Sequence, residues 1–148
     1  HGKPVGHKEV KLEKIEVAKE NENFASKDGF LYTKDMKTLL FYPPAKDLVD
    51  ETNDDGSVIK VSQYIIPDGV ETIRTKAFYK CYSLTNIQIP DTVTSIGSYA
   101  FYYCDRLTNI VIPSGITNIS ECIFYECKSL ISILLIKHPW NVCFKFDL

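Results

Sequence analysis

One phrase is written three times, each copy 23 residues after the last: IPDGVETIRTKAFYKCYSL at 66–84, IPDTVTSIGSYAFYYCDRL at 89–107 and IPSGITNISECIFYECKSL at 112–130. At that offset nine columns keep their chemistry. Leu84, Leu107 and Leu130 align, as do Ile87, Ile110 and Ile133, then Ile66, Ile89 and Ile112. Pro67, Pro90 and Pro113 follow, then Val70, Val93 and Ile116, then Ile73, Ile96 and Ile119. Ala77, Ala100 and Ile123 precede Phe78, Phe101 and Phe124, and Cys81, Cys104 and Cys127 close the unit. A fixed period of this length marks a chain whose units stack on one another. No single unit can bury its own apolar edge, so each copy covers the one before it.

The interior of the unit says how it is built. LTNIQI (84–89) and LTNIVI (107–112) alternate inward and outward, the pattern of a short strand with one buried face. Proline then ends the strand, because it cannot donate to a ladder. SYAFYYC (98–104) has helix-like spacing but room for only one or two turns, so short α or 3-10 turns are expected there. One strand and one short helical turn per unit is the leucine-rich repeat plan, an α/β-type solenoid of parallel strands.

The rest of the chain follows this plan less closely. LEKIEV (12–17) is read as a first strand with Leu12, Ile15 and Val17 inward, at an offset of 72 from Leu84, Ile87 and Ile89. DGFLYTKDMKTLLFYP is read as a β-hairpin inserted in one coil: Phe30 to Thr33, a turn at 34–37, then Thr38 to Tyr42. It is expected beside the strand face or over an end of the stack. DETNDDG (50–56) reads as a polar loop, and VSQYIIP (61–67) opens the first full repeat. In the tail, Ile136 stands where a fourth proline would fall, and HPWNVCFKFDL (138–148) matches no repeat. That end is either a cap using Trp140, Phe144 and Phe146 or a truncated one. The expected organisation is one domain of 148 residues. It divides into an extension at 1–11, an irregular first coil with the hairpin at 12–60, three repeats at 61–133 and an atypical end at 134–148.

Charge is concentrated away from the repeats. Residues 1–60 hold 22 of the 36 Asp, Glu, Lys and Arg, and residues 61–136 hold 11. A net charge of -2 gives nothing to recruit nucleic acid or an anionic membrane, and no apolar run is long enough for a spanning helix. A chain that starts at His1 is expected to be processed or partial, with any targeting segment outside it. Five cysteines without a CxxC pair suggest neither a disulfide scaffold nor a zinc site.

The stretch AFYYCDRLTNIVIPSGITNI resembles the BspA-like leucine-rich repeat family, with its Ala-Phe, Cys, Leu, Ile-x-Ile-Pro and Val-x-x-Ile phrase. NENFASKDGFLYTKDMKTLLFYP is similar to the irregular hairpin-bearing coil of that family. The likeness covers about residues 12–133. It departs at Ile123, where Ala is usual, and at Ser120, which replaces Gly97. The resemblance implies a right-handed solenoid in a secreted or surface-attached microbial protein. It also implies adhesion to host or bacterial proteins, without naming a ligand.

Candidate sites follow from the pattern. At the coil spacing of about 5 Å, Cys81, Cys104 and Cys127 stand close enough for a disulfide to be considered. The same small residue at one point of every coil is read instead as a buried hydrophobe, stacked with Phe78, Phe101 and Phe124 as a structural ladder. Cys122 and Cys143 stand outside the column and are open to pairing or to remaining free. His1, His7 and His138 lie in the termini with no catalytic set around them, and neither metal nor cofactor is called for. NDDG (53–56) lacks the alternating ligands of a calcium loop and reads as a solvated turn, and Asn118 to Ser120 is a glycosylation sequon in form only.

The best binding candidates are the outward strand positions. One column is Lys14, Gln63, Asn86, Asn109 and Ser132, and the other is Glu16, Ile65, Gln88, Val111 and Leu134. Gln63, Ile65, Asn86, Gln88, Asn109 and Val111 form the candidate ligand face on the concave sheet. Such a face is a binding surface, a neutral polar ladder with stray aliphatics, or a surface covered by the hairpin. Tyr79, Tyr102 and Tyr125 recur on the opposite side, as an interface or as rings packed on one another. The leading expectation is a non-enzymatic protein-binding module. The alternatives are a structural spacer and a carbohydrate-binding accessory domain.

Overall fold

The structure, a computed structural model, describes residues 11–46, 48–117, 119–120 and 122–136. Ten strands run along it. They are β1 (Phe24–Lys27), β2 (Phe30–Thr33), β3 (Thr38–Phe41), β4 (Val49–Thr52), β5 (Val58–Ile65), β6 (Thr72–Ile73), β7 (Leu84–Gln88), β8 (Ser95–Ile96), β9 (Asn109–Ile112) and β10 (Ser132–Leu135). Together they make a β-solenoid of about three turns. The repeat strands stack in parallel at the expected offset: Gln63 faces Asn86, Ile65 faces Gln88, Asn109 faces Ser132 and Val111 faces Leu134.

Two of the repeats carry a second, two-residue strand that the sequence pattern did not announce, and the third carries a single bridge at the same place. Thr72 and Ile73 pair with Ser95 and Ile96, and Ile96 continues by a bridge to Ile119. The prolines lie between the two strands. Val70, Val93 and Ile116 donate to the carbonyls of Pro67, Pro90 and Pro113, so each proline opens a turn.

The segment expected to be helical is not. No helix occurs among the described residues. Residues 74–81 instead split their amides between two uses. Ala77, Tyr79 and Cys81 close local turns onto Arg74, Lys76 and Phe78, while Lys76, Phe78 and Lys80 donate to Ser98, Ala100 and Tyr102 of the next coil. The neighbouring coil repeats this, with Phe101 and Tyr103 donating to Ile123 and Tyr125. A helix would return every amide to its own segment and leave the coils unlinked. The alternation needs a left-handed residue at either end. Lys76, Tyr99 and Cys122 have φ of 60°, 58° and 57°, and Lys80, Tyr103 and Glu126 have 60°, 61° and 59°. The solenoid is therefore built of strands and turns, and the α/β description is corrected.

The front of the chain differs in two further ways. Residues 12–17 form no strand, and Leu12 is 41% exposed. The segment is tied only at points, by Ile15 donating to Gly29, Ala45 donating to the Leu12 carbonyl and Val17 donating to Ser26 Oγ. The place of a preceding coil is taken by the hairpin, which gains β1 to become a three-stranded antiparallel meander. Its strand β3 lies parallel to β6, with Leu39 facing Ile73. Tyr42 donates its amide to Ala77 and stacks toward Phe78 at 5.1 Å. The hairpin thus lies over the end of the stack and extends the second sheet. In addition, the polar loop is shorter than the reading of 50–56. Val49–Thr52 pairs antiparallel with Val58–Val61 as β4, and only 53–57 is turn.

The core runs down the axis as columns. Phe78, Phe101 and Phe124 stack at 5.1 and 5.7 Å, and Leu84, Leu107, Ile112, Val93 and Ala100 are fully buried beside them. At the last described coil Ile133 and Leu135 are only half-buried, where Ile110 and Ile112 are closed. The calls on Trp140, Phe144, Phe146, Cys143, His138, His1, His7 and Asn118 fall outside the described residues.

Candidate binding face

β9 and β10 alternate throughout, and β5 and β7 do so from Gln63 and Asn86 onward, after an irregularity that leaves Val61 and Ser62 both buried. Their inward positions fill the core, so Gln63, Ile65, Asn86, Gln88, Asn109, Val111, Ser132 and Leu134 are left exposed on one outer face. Ladder pairing sets Gln63 beside Asn86 and Ile65 beside Gln88 on β5 and β7. The same pairing sets Asn109 beside Ser132 and Val111 beside Leu134 on β9 and β10, and β9 lies against β7. Two columns result, one of amides and a hydroxyl, the other mainly aliphatic. Ile65 is 65% exposed, Val111 44% and Leu134 58%. The Ser132 hydroxyl donates to the Asn109 side-chain carbonyl, and the Asn109 amide donates to Thr108 Oγ1, so the polar column is partly self-satisfied.

Lys14 and Glu16 do not join these columns. They form an exposed ion pair of 2.9 Å in the irregular segment, near Gly29 and Lys46. The strand bordering β5 is β4, and the β2–β3 hairpin belongs to the other sheet.

At the β5 end the face dips into an open depression of about 330 Å³ lined by Gln63, Tyr64, Ile65, Asn86 and Gln88. Tyr64 was not singled out from the sequence, because it occupies an inward column. It rises from below, packs on Phe30 at 4.2 Å and shares a 2.7 Å hydroxyl contact with Tyr32. Burial, followed by the Tyr32 hydroxyl, pushes its phenol far above the usual range. Tyr64 therefore acts as a neutral, rigid floor.

The other candidates resolve into packing. Tyr79, Tyr102 and Tyr125 stack at 5.3 and 5.2 Å with small interplanar angles, so the ring faces between them are occupied by one another. The Tyr102 phenol is pushed up to about 12, first by its hydrogen bond with Tyr103 and then by burial. Lys76 and Lys80 hold their ammonium groups over Tyr79 at 5.6 and 5.3 Å. Cys81 and Cys104 are buried and Cys127 is half-buried. Cys104 Sγ donates to the Phe78 carbonyl at 3.3 Å, and Cys127 Sγ to the Phe101 carbonyl at 3.0 Å, so each thiol bonds back to the preceding coil. Burial raises the Cys104 thiol, and the hydrogen bond with Cys104, then burial, raises that of Cys127. In the 53–57 turn, Asp55 accepts from the amide and hydroxyl of Ser57. No group of metal-ligating side chains and no helix long and apolar enough to cross a membrane occurs among the described residues.

A family model described as "BspA type Leucine rich repeat region (6 copies)" matches residues 57–142. Three solved structures are similar. A T. pallidum leucine rich repeat protein is 31% identical, over 59% of this chain and 46% of that one, with a TM-score of 0.47. A leucine-rich repeat protein from Eubacterium ventriosum is 23% identical, over 90% of this chain and 45% of that one, with a TM-score of 0.55. A leucine-rich repeat protein from Bacteroides capillosus is 20% identical, over 78% of this chain and 99% of that one, also at 0.55. The last two speak for the fold alone. The chain spans less than half the length of the first two structures. No curated protein matches this chain.

Proposed function

Because this chain belongs to the BspA type leucine rich repeat family, we propose that it is a non-enzymatic protein-binding module of a secreted or cell-surface protein. Its ligand is a host or bacterial surface protein, held on the outer face of β5, β7, β9 and β10. The observation that carries this reading is the exposed aliphatic column of Ile65, Val111 and Leu134, which runs over the two ladders β5–β7 and β9–β10. A spacer would be served equally well by a charged, solvated face, and the rest of the chain has the charges to supply one. A carbohydrate platform on the tyrosine side is disfavoured, since sugars stack on ring faces and those between Tyr79, Tyr102 and Tyr125 are already covered.

The test is a panel of host extracellular-matrix proteins and bacterial surface proteins, offered to the chain and to a Gln88→Lys, Val111→Lys double variant. Both residues point outward, so the variant is expected to fold. Binding is expected to weaken by about 2 kcal/mol or more if they sit at the interface centre. A protein ligand that binds the variant unchanged removes this face from consideration.

A further inference from the structure

We propose that Tyr102 and Tyr125 form an oxidative cross-linking site, where a carbon–carbon bond between the two rings staples one coil to the next. The oxidant is hydrogen peroxide, used through a haem peroxidase. The site lies on the turn segments, outside the strands of the binding face.

Tyr102 is the hub of a group of tyrosines in continuous ring contact. Its ring centroid lies 5.3 Å from that of Tyr79, 5.5 Å from Tyr99, 4.2 Å from Tyr103 and 5.2 Å from Tyr125, and Tyr82 joins through Tyr103 at 6.2 Å. Angle separates these neighbours. Two phenol rings couple at the carbons beside their hydroxyls, which requires the ring faces to overlap. Tyr99 meets Tyr102 edge-on at 79° and Tyr103 is tilted by 51°, whereas Tyr125 and Tyr79 lie flatter, at 30° and 16°. The backbone holds the pair in register. Phe101 donates its amide to the Ile123 carbonyl and Tyr103 donates to that of Tyr125, so Tyr102 is tied on either side to the coil that carries Tyr125. Both tyrosines are half-buried, which leaves part of each ring open to the oxidant.

Charge decides between Tyr125 and Tyr79. The ammonium groups of Lys76 and Lys80 stand over the Tyr79 ring at 5.6 and 5.3 Å. A cation is held there by the electrons of the ring, so removing one of them turns attraction into repulsion. Tyr79 is thereby protected from oxidation. Among the described residues no cation is placed over Tyr102 or Tyr125.

In the reaction each ring gives one electron and its hydroxyl proton to the oxidant. The two phenoxyl radicals join through one carbon beside each oxygen. The hydrogen on each joined carbon then moves to the oxygen, so both hydroxyls are restored. The pair has lost two hydrogens, which reduce one peroxide to two waters. The link closes a loop between neighbouring coils and, like a disulfide, restricts the unfolded chain.

The test treats the full chain, in dilute solution, with a haem peroxidase and hydrogen peroxide. Trypsin, which cuts after Lys76, Lys80, Arg106 and Lys128, places Tyr79 in peptide 77–80, Tyr102 in 81–106 and Tyr125 in 107–128. Mass spectrometry is expected to show 81–106 joined to 107–128 as the main product, lighter than the sum of the two by two hydrogens. The link is expected to vanish in Tyr102→Phe and in Tyr125→Phe, variants that keep the stacked rings, and to persist in Tyr79→Phe and Tyr99→Phe. Circular dichroism checks that each variant is folded. The linked protein is expected to melt at least about 5 °C higher than the untreated one. A main product within 81–106, one joined to 77–80, one between molecules, or no link at all overturns the proposal. So does a link that survives Tyr125→Phe or is lost in Tyr99→Phe, and a link that leaves the melting temperature unchanged removes the staple.

Discussion

Phe101 lies between Phe78 and Phe124, fully buried and stacked on both. Its removal leaves a cavity walled by two rings that are fixed in their own coils. Phe101→Ala is expected to cost about 3–5 kcal/mol in urea unfolding, and a loss under about 1 kcal/mol would mean that the column is not closed. The thiols beside it predict a chemical signature. Cys104 is shielded on all sides and its thiol is held neutral by burial, so labelling reagents are expected to reach it only after unfolding, with Cys81 behaving alike. Cys127 is half-buried at the last described coil and should label first of the three. Rapid labelling of Cys104 in the native protein, read by mass spectrometry, contradicts this. Both residues were legible in the sequence because a column that repeats an apolar or small side chain has one physical reading, burial. Gly97 was less legible. A Cβ there would come within 2.3 Å of the Thr75 amide nitrogen, a contact between coils that no spacing of residues reveals.

At the scale of elements, strands β7 and β9 were readable because alternation and proline both marked them, and β10 by alternation alone, since Ile136 stands where its proline would fall. The turn segment was not, because AFYYC satisfies a helical spacing and a turn spacing equally. What decides is where its amides go, and half of them go to a neighbouring coil. LEKIEV imitates a strand in pattern, but its offset of 72 is not a multiple of 23, so it cannot stand in the columns, and the hairpin covers that end instead. β6 and β8, with two residues each, are too short to show alternation. The outward columns were legible from β5 onward, and Tyr64 beneath them was hidden by its inward position. The turn geometry yields a prediction that separates it from a helix. Lys76 is exposed with φ of 60°, a conformation that strains any residue with a Cβ. Lys76→Gly is expected to leave stability unchanged or raise it by up to about 1 kcal/mol, whereas glycine in a helix interior would cost about 1 kcal/mol. A clear loss in thermal unfolding would argue for a helical segment.

At the scale of the molecule, every long-range backbone bond described within the repeats joins a coil to its neighbour, so the stack behaves as a one-dimensional array. Ile89 and Ile112 stand in the same column, so removing residues 89–111 joins Gln88 to Ile112 with all later side chains still facing as before. That deletion is expected to leave a folded protein with a β-type circular dichroism spectrum. It should also lower the urea m-value, because less surface is exposed on unfolding. Removing residues 89–99 instead cuts a coil in half and sets Ala100 where Ile89 stood. The inward and outward positions then no longer match the coil below, the Phe column is broken, and the chain is expected to unfold or aggregate. The outer face changes with the coil count. The 89–111 deletion takes away Asn109 and Val111 while keeping the two columns continuous from Gln63 and Ile65 to Ser132 and Leu134. A ligand that spans all four strands β5, β7, β9 and β10 should therefore bind the shortened protein more weakly, and one that uses only the β5–β7 depression should bind it unchanged. If the two deletions prove equally folded, coil register is not what holds the molecule together, and the stacked-column account of its stability fails.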